Sequence, residues 1–83
     1  MNPAILDAAV LEILSDHGTP SPERYVMLAL TVEYRIKTSY TELRECLRKL
    51  EETKHIVSIR SSDSIVVWSI SDLGRTVLLE LHL

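Results

Sequence analysis

The spacing of hydrophobic residues predicts where this chain forms its first helix. From residue 3 to about residue 16, apolar residues recur every three or four positions, as on one face of a helix. Asn2 can cap this helix, with Pro3 at its first position. His17 and Gly18 mark its end, because Gly favours the residue that follows a helix.

A second helix is predicted over 22–35, and it is apolar around most of its circumference. Ser21 serves as its cap, and Pro22 stands at the first helical position. A strand is the alternative, since Val, Tyr and Thr favour strands, but the Ser-Pro-Glu start favours a helix. A helix that is apolar nearly all round is buried on more than one side.

The third helix, predicted over 40–53, has the clearest local signals. Ser39 and Glu42 form the S-x-x-E pattern of a capping box. Behind the cap, apolar residues share one face and charged residues the other. Cys46 lies on the apolar face, so we expect it to pack in the core rather than react.

The hydrophobic period then changes from 3.6 to 2, which predicts two strands, over 55–60 and 65–70. The SSDS segment between them is a turn signal, so the strands should form a hairpin. Trp68 is expected to anchor the second strand in the core.

A last helix is predicted over 72–82, with Ser71 as its cap. Gly74 lies in its first turn although Gly is a poor helix former, so we expect this helix to cross closely over neighbouring backbone there. One apolar stripe and several leucines outside it predict that two surfaces cover this helix. The stripe consists of Leu73, Val77 and Leu81, and the leucines outside it are Leu78, Leu79 and Leu83.

Two segments resemble a known kind of domain. TELRECLRKLEETKHIVSIR is similar to a recognition helix that runs into the first strand of a wing, and VWSISDLGR is similar to the end of a second wing strand. Over 23–80 the pattern resembles small winged helix-turn-helix regulators of the MarR and PadR families. The resemblance implies an α+β, mainly α fold over 1–83, with three helices, a two-stranded wing hairpin and a C-terminal helix.

The chain departs from that family pattern in three places. The second helix is nearly all apolar. The junction after the third helix lacks the usual Gly and reads Thr53-Lys54-His55-Ile56. The wing carries one basic residue, Arg60, together with the acidic Asp63.

Charge is distributed unevenly along the chain. The net charge is −3 at pH 7, which argues against nucleic acid when taken alone. Residues 35–60 nevertheless carry seven bases against four acids, whereas both flanking segments are acidic. Because a local basic patch matters more than net charge, this segment is the candidate partner for double-stranded DNA.

The resemblance implies that the third helix, over 40–53, enters the major groove of DNA as part of a transcriptional regulator. Arg44 could then bind a guanine edge or a phosphate, while Arg48 and Lys49 suit phosphates. The predicted DNA-contacting residues are Ser39, Tyr40, Thr41, Arg44, Glu45, Arg48, Lys49 and Arg60.

The same residues also permit a second interpretation. Glu45 with Lys49, and Arg48 with Glu52, are opposite charges four residues apart, so the helix face could be solvated and self-neutralised. The chain would then be a protein–protein interaction module, an adaptor or inhibitor, that binds no DNA.

The sequence gives little support for a catalytic function. His17, His55 and His82 have no Cys or carboxylate at metal-ligand spacing, and no Gly-rich phosphate loop is present. We expect no enzyme activity, no cofactor and no metal. The sequence has no signal peptide and no run of apolar residues long enough to span a membrane, so we expect a cytoplasmic protein.

Hydrophobic residues make up 46% of the chain and the mean hydropathy is +0.10, which is high for a small solvated domain. Part of this surplus should be covered by a partner. We therefore expect a homodimer built through the helices predicted over 22–35 and 72–82.

Overall fold

The computed structural model describes residues 3–81 of the chain, with side chains from residue 5 to residue 80. Within this range the chain forms a layer of helices against a small antiparallel sheet. Its elements are α1 (Pro3–His17), β1 (Ser21–Pro22), α2 (Glu23–Val32), α3 (Tyr40–Glu52), β2 (Ile56–Arg60), β3 (Val66–Ile70) and α4 (Asp72–Leu81). This order confirms the predicted fold class, whereas the predicted cap Asn2 lies outside the described residues.

The three strands are ordered β1–β3–β2, and both pairs are antiparallel. Trp68 of the central strand lies opposite Ser58 on one side and Ser21 on the other. Alternation along β3 turns Trp68 and Ile70 toward the helices, where Ile70 is buried and Trp68 packs against the core. Trp68 is thus the core anchor that the sequence predicts.

One hydrophobic core joins the four helices to the sheet. Each helix contributes residues at helical spacing, and β2 and β3 each contribute one isoleucine. The side chains that are 2% exposed or less are Val10, Leu11, Leu14, Val26, Leu30, Leu43, Leu47 and Ile56. At roughly 1.5–3 kcal/mol per buried large aliphatic side chain, this cluster provides the main stabilisation of the fold.

The start of the second helix corrects the sequence prediction. Ser21 does not cap α2: it is fully buried in β1, and its Oγ donates to the carbonyl oxygen of Thr19 at 3.2 Å. Pro22 occupies the cap position with an extended backbone and makes no side-chain capping bond. A proline without an N–H is acceptable here because β1 is an edge strand.

The predicted end of the second helix at residue 35 is also wrong. α2 ends at Val32, and Arg35 adopts a left-handed backbone with φ 53°. The chain turns because both neighbours of Arg35 are drawn inward. The Tyr34 hydroxyl donates to Glu12 Oε1 at 2.7 Å, and Ile36 packs against the core.

Only one side of α2 is covered. Val26, Ala29 and Leu30 are buried, whereas Leu28 and Val32 are 60% and 63% exposed. The expectation that α2 is buried on more than one side is therefore not met within a single chain, and a strip of apolar surface stays open to solvent.

Both ends of α3 are well defined. At the start, the capping box is present in both directions: the Glu42 backbone N–H donates to Ser39 Oγ, and the Ser39 backbone N–H donates to the Glu42 carboxylate. At the end, Lys54 adopts φ 67°, its N–H donates to the Glu51 carbonyl, and the His55 N–H donates to the Leu50 carbonyl. This pattern is a Schellman motif in which lysine occupies the usual glycine position.

The start of α4 is tied to the end of α3. Ser71 Oγ accepts from the Gly74 N–H at 3.0 Å and donates to the Lys54 carbonyl at 2.6 Å. The Ser71 N–H donates to the His55 carbonyl at 3.0 Å. A Cβ added at Gly74 would overlap that same carbonyl oxygen, so the predicted close approach at Gly74 is confirmed.

The covered side of α4 differs from the predicted stripe. Leu78 is buried and Val77 is partly buried against the core, whereas Leu73 is 48% exposed and Leu79 is 68% exposed. The side chain of Leu81 lies outside the described residues, as do Leu83 and His82. Like α2, α4 therefore presents apolar side chains to solvent.

Candidate nucleic-acid interface

The exposed face of α3 holds most of the predicted site. Tyr40, Thr41, Arg44, Glu45 and Arg48 are all exposed there. Ser39 precedes them at the cap, where its Oγ accepts from the Glu42 backbone N–H and donates to the Glu42 carboxylate at 3.2 Å. Its hydroxyl is therefore engaged in capping rather than free for an incoming group.

Arg44 contacts both a carboxylate and an aromatic ring. Its Nε donates to both carboxylate oxygens of Glu23, at 3.2 and 3.0 Å, across 21 positions of sequence. Its Cζ lies 5.9 Å from the ring centroid of Tyr40, one turn earlier on α3. The hydrogen bond to Glu23 is the main reason that the pKa of Arg44 is raised, so the guanidinium stays charged.

Arg44 uses only one of its nitrogens for these contacts. Among the described residues, no side chain or carbonyl forms a hydrogen bond with Nη1 or Nη2. The Arg44 side chain is 69% exposed. Its terminal edge, which carries two donors in one plane, therefore faces solvent.

Arg48 pairs within its own helix, as predicted. Its Nη1 lies 3.1 Å from Glu52 Oε1, with both side chains largely exposed. An exposed pair of this kind contributes little to stability.

Lys49 does not pair with Glu45 as predicted. Its Nζ lies 2.8 Å from Asp7 Oδ2 on α1, and this hydrogen bond is the main cause of its raised pKa. Asp7 Oδ1 also accepts from Cys46 Sγ at 3.0 Å. Lys49 is thus part of the attachment of α3 to α1, and its partner is not on the exposed face.

Cys46 is buried, in agreement with the core role predicted for it. Burial, followed by the hydrogen bond to the Asp7 carboxylate, raises the pKa of this thiol. Because the thiolate is the reactive form, Cys46 stays protonated and unreactive near neutral pH.

The hairpin β2–β3, the candidate wing, has a different surface. Arg60 lies at its end opposite Val66 and is exposed. The large apolar side chains on the hairpin that are more than a third exposed are Val57, Ile59, Ile65 and Val66. The hairpin therefore exposes four large apolar side chains and a single basic one, Arg60.

Two further cations lie in the turn between α2 and α3. Arg35 and Lys37 line a surface depression of about 360 Å³ together with Thr31, Ile36 and Thr38. Neither cation forms an ion pair within residues 3–81. From the sequence, both belong to the basic segment that could meet phosphates, but neither is among the predicted DNA-contacting residues.

Glu23 is the site residue that sequence reasoning missed. The sequence gives no signal for the pair, because Arg44 lies on another helix, 21 positions further along the chain. His55 contacts the turn that ends α3: its Nδ1 lies 2.6 Å from Thr53 Oγ1.

A search of the described residues finds no group of three or more His, Cys, Asp or Glu side chains that could hold a metal ion. Between residues 3 and 81, no helix combines the length and the hydropathy needed to cross a bilayer.

No family model matches the chain, and no curated protein sequence does. Solved structures do match it. A PadR-like transcription factor from Bacteroides fragilis has a TM-score of 0.82 at 19% identity, over 99% of this chain and 81% of that one. The transcriptional regulator BldR from Sulfolobus solfataricus has a TM-score of 0.71 at 28% identity, over 92% of this chain and 50% of that one.

A mutant of ZitR from Lactococcus lactis has a TM-score of 0.69 at 23% identity, over 93% of this chain and 49% of that one. The chain therefore spans about half the length of the BldR and ZitR chains that it matches. Together with the element order, these likenesses identify the fold as a winged helix-turn-helix, with β2–β3 as the wing hairpin.

Proposed function

We propose that this chain is a DNA-binding winged-helix regulator that contacts duplex DNA through α3. The observation that carries the proposal is the exposed N-terminal face of α3, where the terminal edge of Arg44 is available beside Tyr40 and Thr41. The likeness of the fold to a transcriptional regulator and a transcription factor supports the same conclusion. Thr41, Arg44 and Arg48 are the proposed contacts, and Arg60 contributes from the wing.

Binding should be weak for one copy of the chain. Arg44, Arg48 and Lys49 each already have a carboxylate partner, so part of their charge is neutralised before DNA arrives. Since phosphate neutralisation supplies most of the non-specific affinity, Arg35, Lys37 and Arg60, which form no ion pair within residues 5–80, gain importance. A regulator with this surface would act where duplex DNA is found, which keeps the cytoplasm as the proposed location.

Titration of the protein into labelled duplex DNA at about 50 mM and about 200 mM salt tests this function, because a phosphate-dependent complex weakens steeply over that range. The Arg44→Ala, Arg48→Ala double variant should lower affinity roughly tenfold or more. Arg75→Ala is the matched control: it removes an exposed, carboxylate-paired arginine from α4 and should leave binding unchanged. Absence of binding by the unaltered chain at the lower salt would contradict the proposal.

We also propose that two copies associate through α2 and α4. Leu28 and Val32 of α2, with Tyr25, Ala29 and Glu33, line an apolar surface depression of about 150 Å³. Leu73 and Leu79 of α4 are exposed as well. A dimer would cover this surface and double the cations offered to DNA.

Light scattering at micromolar concentration should give a dimeric mass for the chain and a monomeric mass for Leu28→Glu or Leu79→Glu. A monomeric mass for the unaltered chain would contradict this assembly.

A protein-interaction module is the second candidate. The observation that favours it is the wing, which exposes Val57, Ile59, Ile65 and Val66 and carries a single basic residue, Arg60. The DNA titration separates the two candidates, because this one predicts no salt-sensitive binding of duplex DNA.

A further inference from the structure

We infer that Glu23 is a positioning residue that holds Arg44 so that its terminal edge reads a guanine in duplex DNA. The inference rests on the proposed DNA-binding function and adds to it the base that is read and a second residue needed to read it. Three observations support the inference. They are the hydrogen bonds between Glu23 and Arg44, the position of the Tyr40 ring beside Arg44, and the different nitrogen that Arg48 uses to pair with Glu52.

The first is the geometry of the Glu23–Arg44 pair. Glu23 is the first residue of α2 and Arg44 lies in the second turn of α3, so the pair joins the two helices. Both carboxylate oxygens accept from Nε, at 3.2 and 3.0 Å. The Glu23 side chain is only 23% exposed, whereas that of Arg44 is 69% exposed. The carboxylate therefore forms the inner support and the guanidinium the outer surface.

The second observation is the Tyr40 ring, 5.9 Å from Arg44 Cζ. A cation near an aromatic ring is attracted to it, and Tyr40 is held on the same helix by the capping box that precedes it. These two contacts, one from α2 and one from α3, restrict the rotamers of Arg44. An arginine that is already ordered loses less conformational entropy when it binds.

The chemistry of the free edge selects the ligand. Nη1 and Nη2 present parallel donors, which match the O6 and N7 acceptors of guanine in the major groove. A phosphate can also accept from such an edge, but the adjacent Glu23 carboxylate offsets much of the charge that attracts a phosphate. The directional hydrogen bonds from Nη1 and Nη2 are not weakened in this way, and they distinguish one base from another.

Arg48 provides the contrast on the same helix. Its bond to Glu52 uses Nη1, so its terminal edge is already occupied, and Glu52 is itself 63% exposed. Both arginines have one carboxylate partner, but only Arg44 keeps both terminal nitrogens available. Glu52 is therefore a matched control for Glu23.

The experiment begins with selection of preferred sites by the unaltered protein from duplexes with randomised central positions. Affinities are then measured for the selected duplex and for a duplex in which each conserved guanine is replaced in turn. Arg44→Lys keeps the charge without the planar fork, so it should lower the preference for one guanine by roughly 5- to 100-fold.

Glu23→Ala should lower the preference for that same guanine by about 2- to 10-fold, the benefit of an ordered side chain. Its non-specific affinity should stay the same or rise, because a negative charge is removed. Glu23→Gln keeps an acceptor for Nε and should restore part of the preference. Glu52→Ala removes the same charge from α3 and should leave the preference unchanged. Thermal unfolding checks that each variant is folded.

The outcomes separate the two proposals. If the unaltered protein binds no duplex, the proposed function and this inference both fail. If it binds but Arg44→Lys keeps the guanine preference, Arg44 does not read a base, and the inference alone is wrong. If Arg44→Lys loses the preference while Glu23→Ala keeps it, or if Glu52→Ala reduces it equally, Glu23 has no positioning role.

Discussion

The two ends of α3 are held in different ways. The N-terminal end is stabilised by the Ser39–Glu42 capping box and by the buried Leu43, and its side-chain polar contact with another helix is the pair between Arg44 and Glu23. The C-terminal half is attached to its neighbours: Cys46 and Lys49 contact Asp7 of α1, and the closing turn bonds to the start of α4.

This difference indicates how one short helix can serve two purposes. The outer face of the N-terminal end is exposed and carries the proposed DNA contacts. The attached half fixes the direction in which that end points. Substitutions in the C-terminal half should therefore mainly lower the free energy of unfolding. Substitutions at the N-terminal end should mainly change DNA binding.

Gly74→Ala should produce the largest effect, a loss of about 3 kcal/mol in the free energy of unfolding, because the added Cβ would overlap the His55 carbonyl. Urea unfolding measures it. Gly18→Ala is the control: Gly18 has φ 75° but open space around it, so only backbone strain of about 1 kcal/mol is expected. Equal losses in the two variants would contradict the close approach at α4.

The two serine caps compare the ends directly. Ser71→Ala removes the cap of α4 and its bond to the Lys54 carbonyl, so we expect a loss of about 2 kcal/mol. Ser39→Ala removes a cap that serves only α3, at a cost of about 1 kcal/mol. Chemical denaturation of both variants gives the comparison, and a larger loss for Ser39→Ala would reverse it.

Alkaline pH tests the attached half of α3. The pKa of Cys46 is raised by burial, and that of Tyr34 is raised by burial and by Glu12, so the fold favours both protonated forms. The contribution of the Cys46 thiol is complete below its ordinary pKa of 9.0 and is lost as the pH rises above it, whereas the loss from Tyr34 begins only above its ordinary pKa of 10.0. The thiol can change the unfolding free energy by at most about 1.4 kcal/mol per pH unit.

Urea unfolding at about pH 8 and about pH 10 should show this loss, which follows from the pKa of a thiol. Cys46→Ala should flatten the dependence whatever its effect at pH 8. An unchanged slope in Cys46→Ala would mean that the thiol does not contribute.

Lys54→Gly should stabilise the protein by about 1 kcal/mol, because glycine adopts the left-handed backbone at φ 67° without steric cost. The midpoint of thermal unfolding should rise. Lys54→Ala keeps a Cβ while removing the charge, so a similar rise in that variant would assign the effect to charge rather than to backbone.

Arg44→Ala should have the smallest effect on stability, with an unfolding midpoint close to that of the unaltered chain, because the Arg44 side chain is 69% exposed. Binding of duplex DNA should nevertheless fall. A large loss of stability would mean that Arg44 holds α2 and α3 together rather than serving as a contact.

Local sequence signals predicted the structural features that depend on residues close to one another in the chain. The S-x-x-E pattern located the start of α3, alternation located the hairpin, and the unusual position of Gly74 indicated the close approach to the backbone. Long-range contacts could not be predicted in this way. The pairing of Ser21 with Trp68 replaced a plausible helix cap by a strand, and a single residue with a positive φ, Arg35, ended α2 early.

The charges of the candidate site show the same limit. The Arg48–Glu52 pair lies within one helix and was predicted from its spacing. Lys49 instead pairs with Asp7 of α1, and Arg44 pairs with Glu23 of α2. Spacing along a helix gives the pairs that can form, whereas the packing of helices decides which pairs do form.

The two-residue strand β1 has a consequence for how mutations combine. Its Pro22 pairs with Val67 of the wing and is followed directly by Glu23, which holds Arg44. The wing and the guanidinium of α3 are thus linked by the pairing of β1 with β3, by the peptide bond between Pro22 and Glu23, and by the Glu23–Arg44 hydrogen bonds. Substitutions at Val67 and at Arg44 should therefore show non-additive effects on DNA affinity, so a double-mutant cycle should reveal epistasis between two elements that do not share a helix.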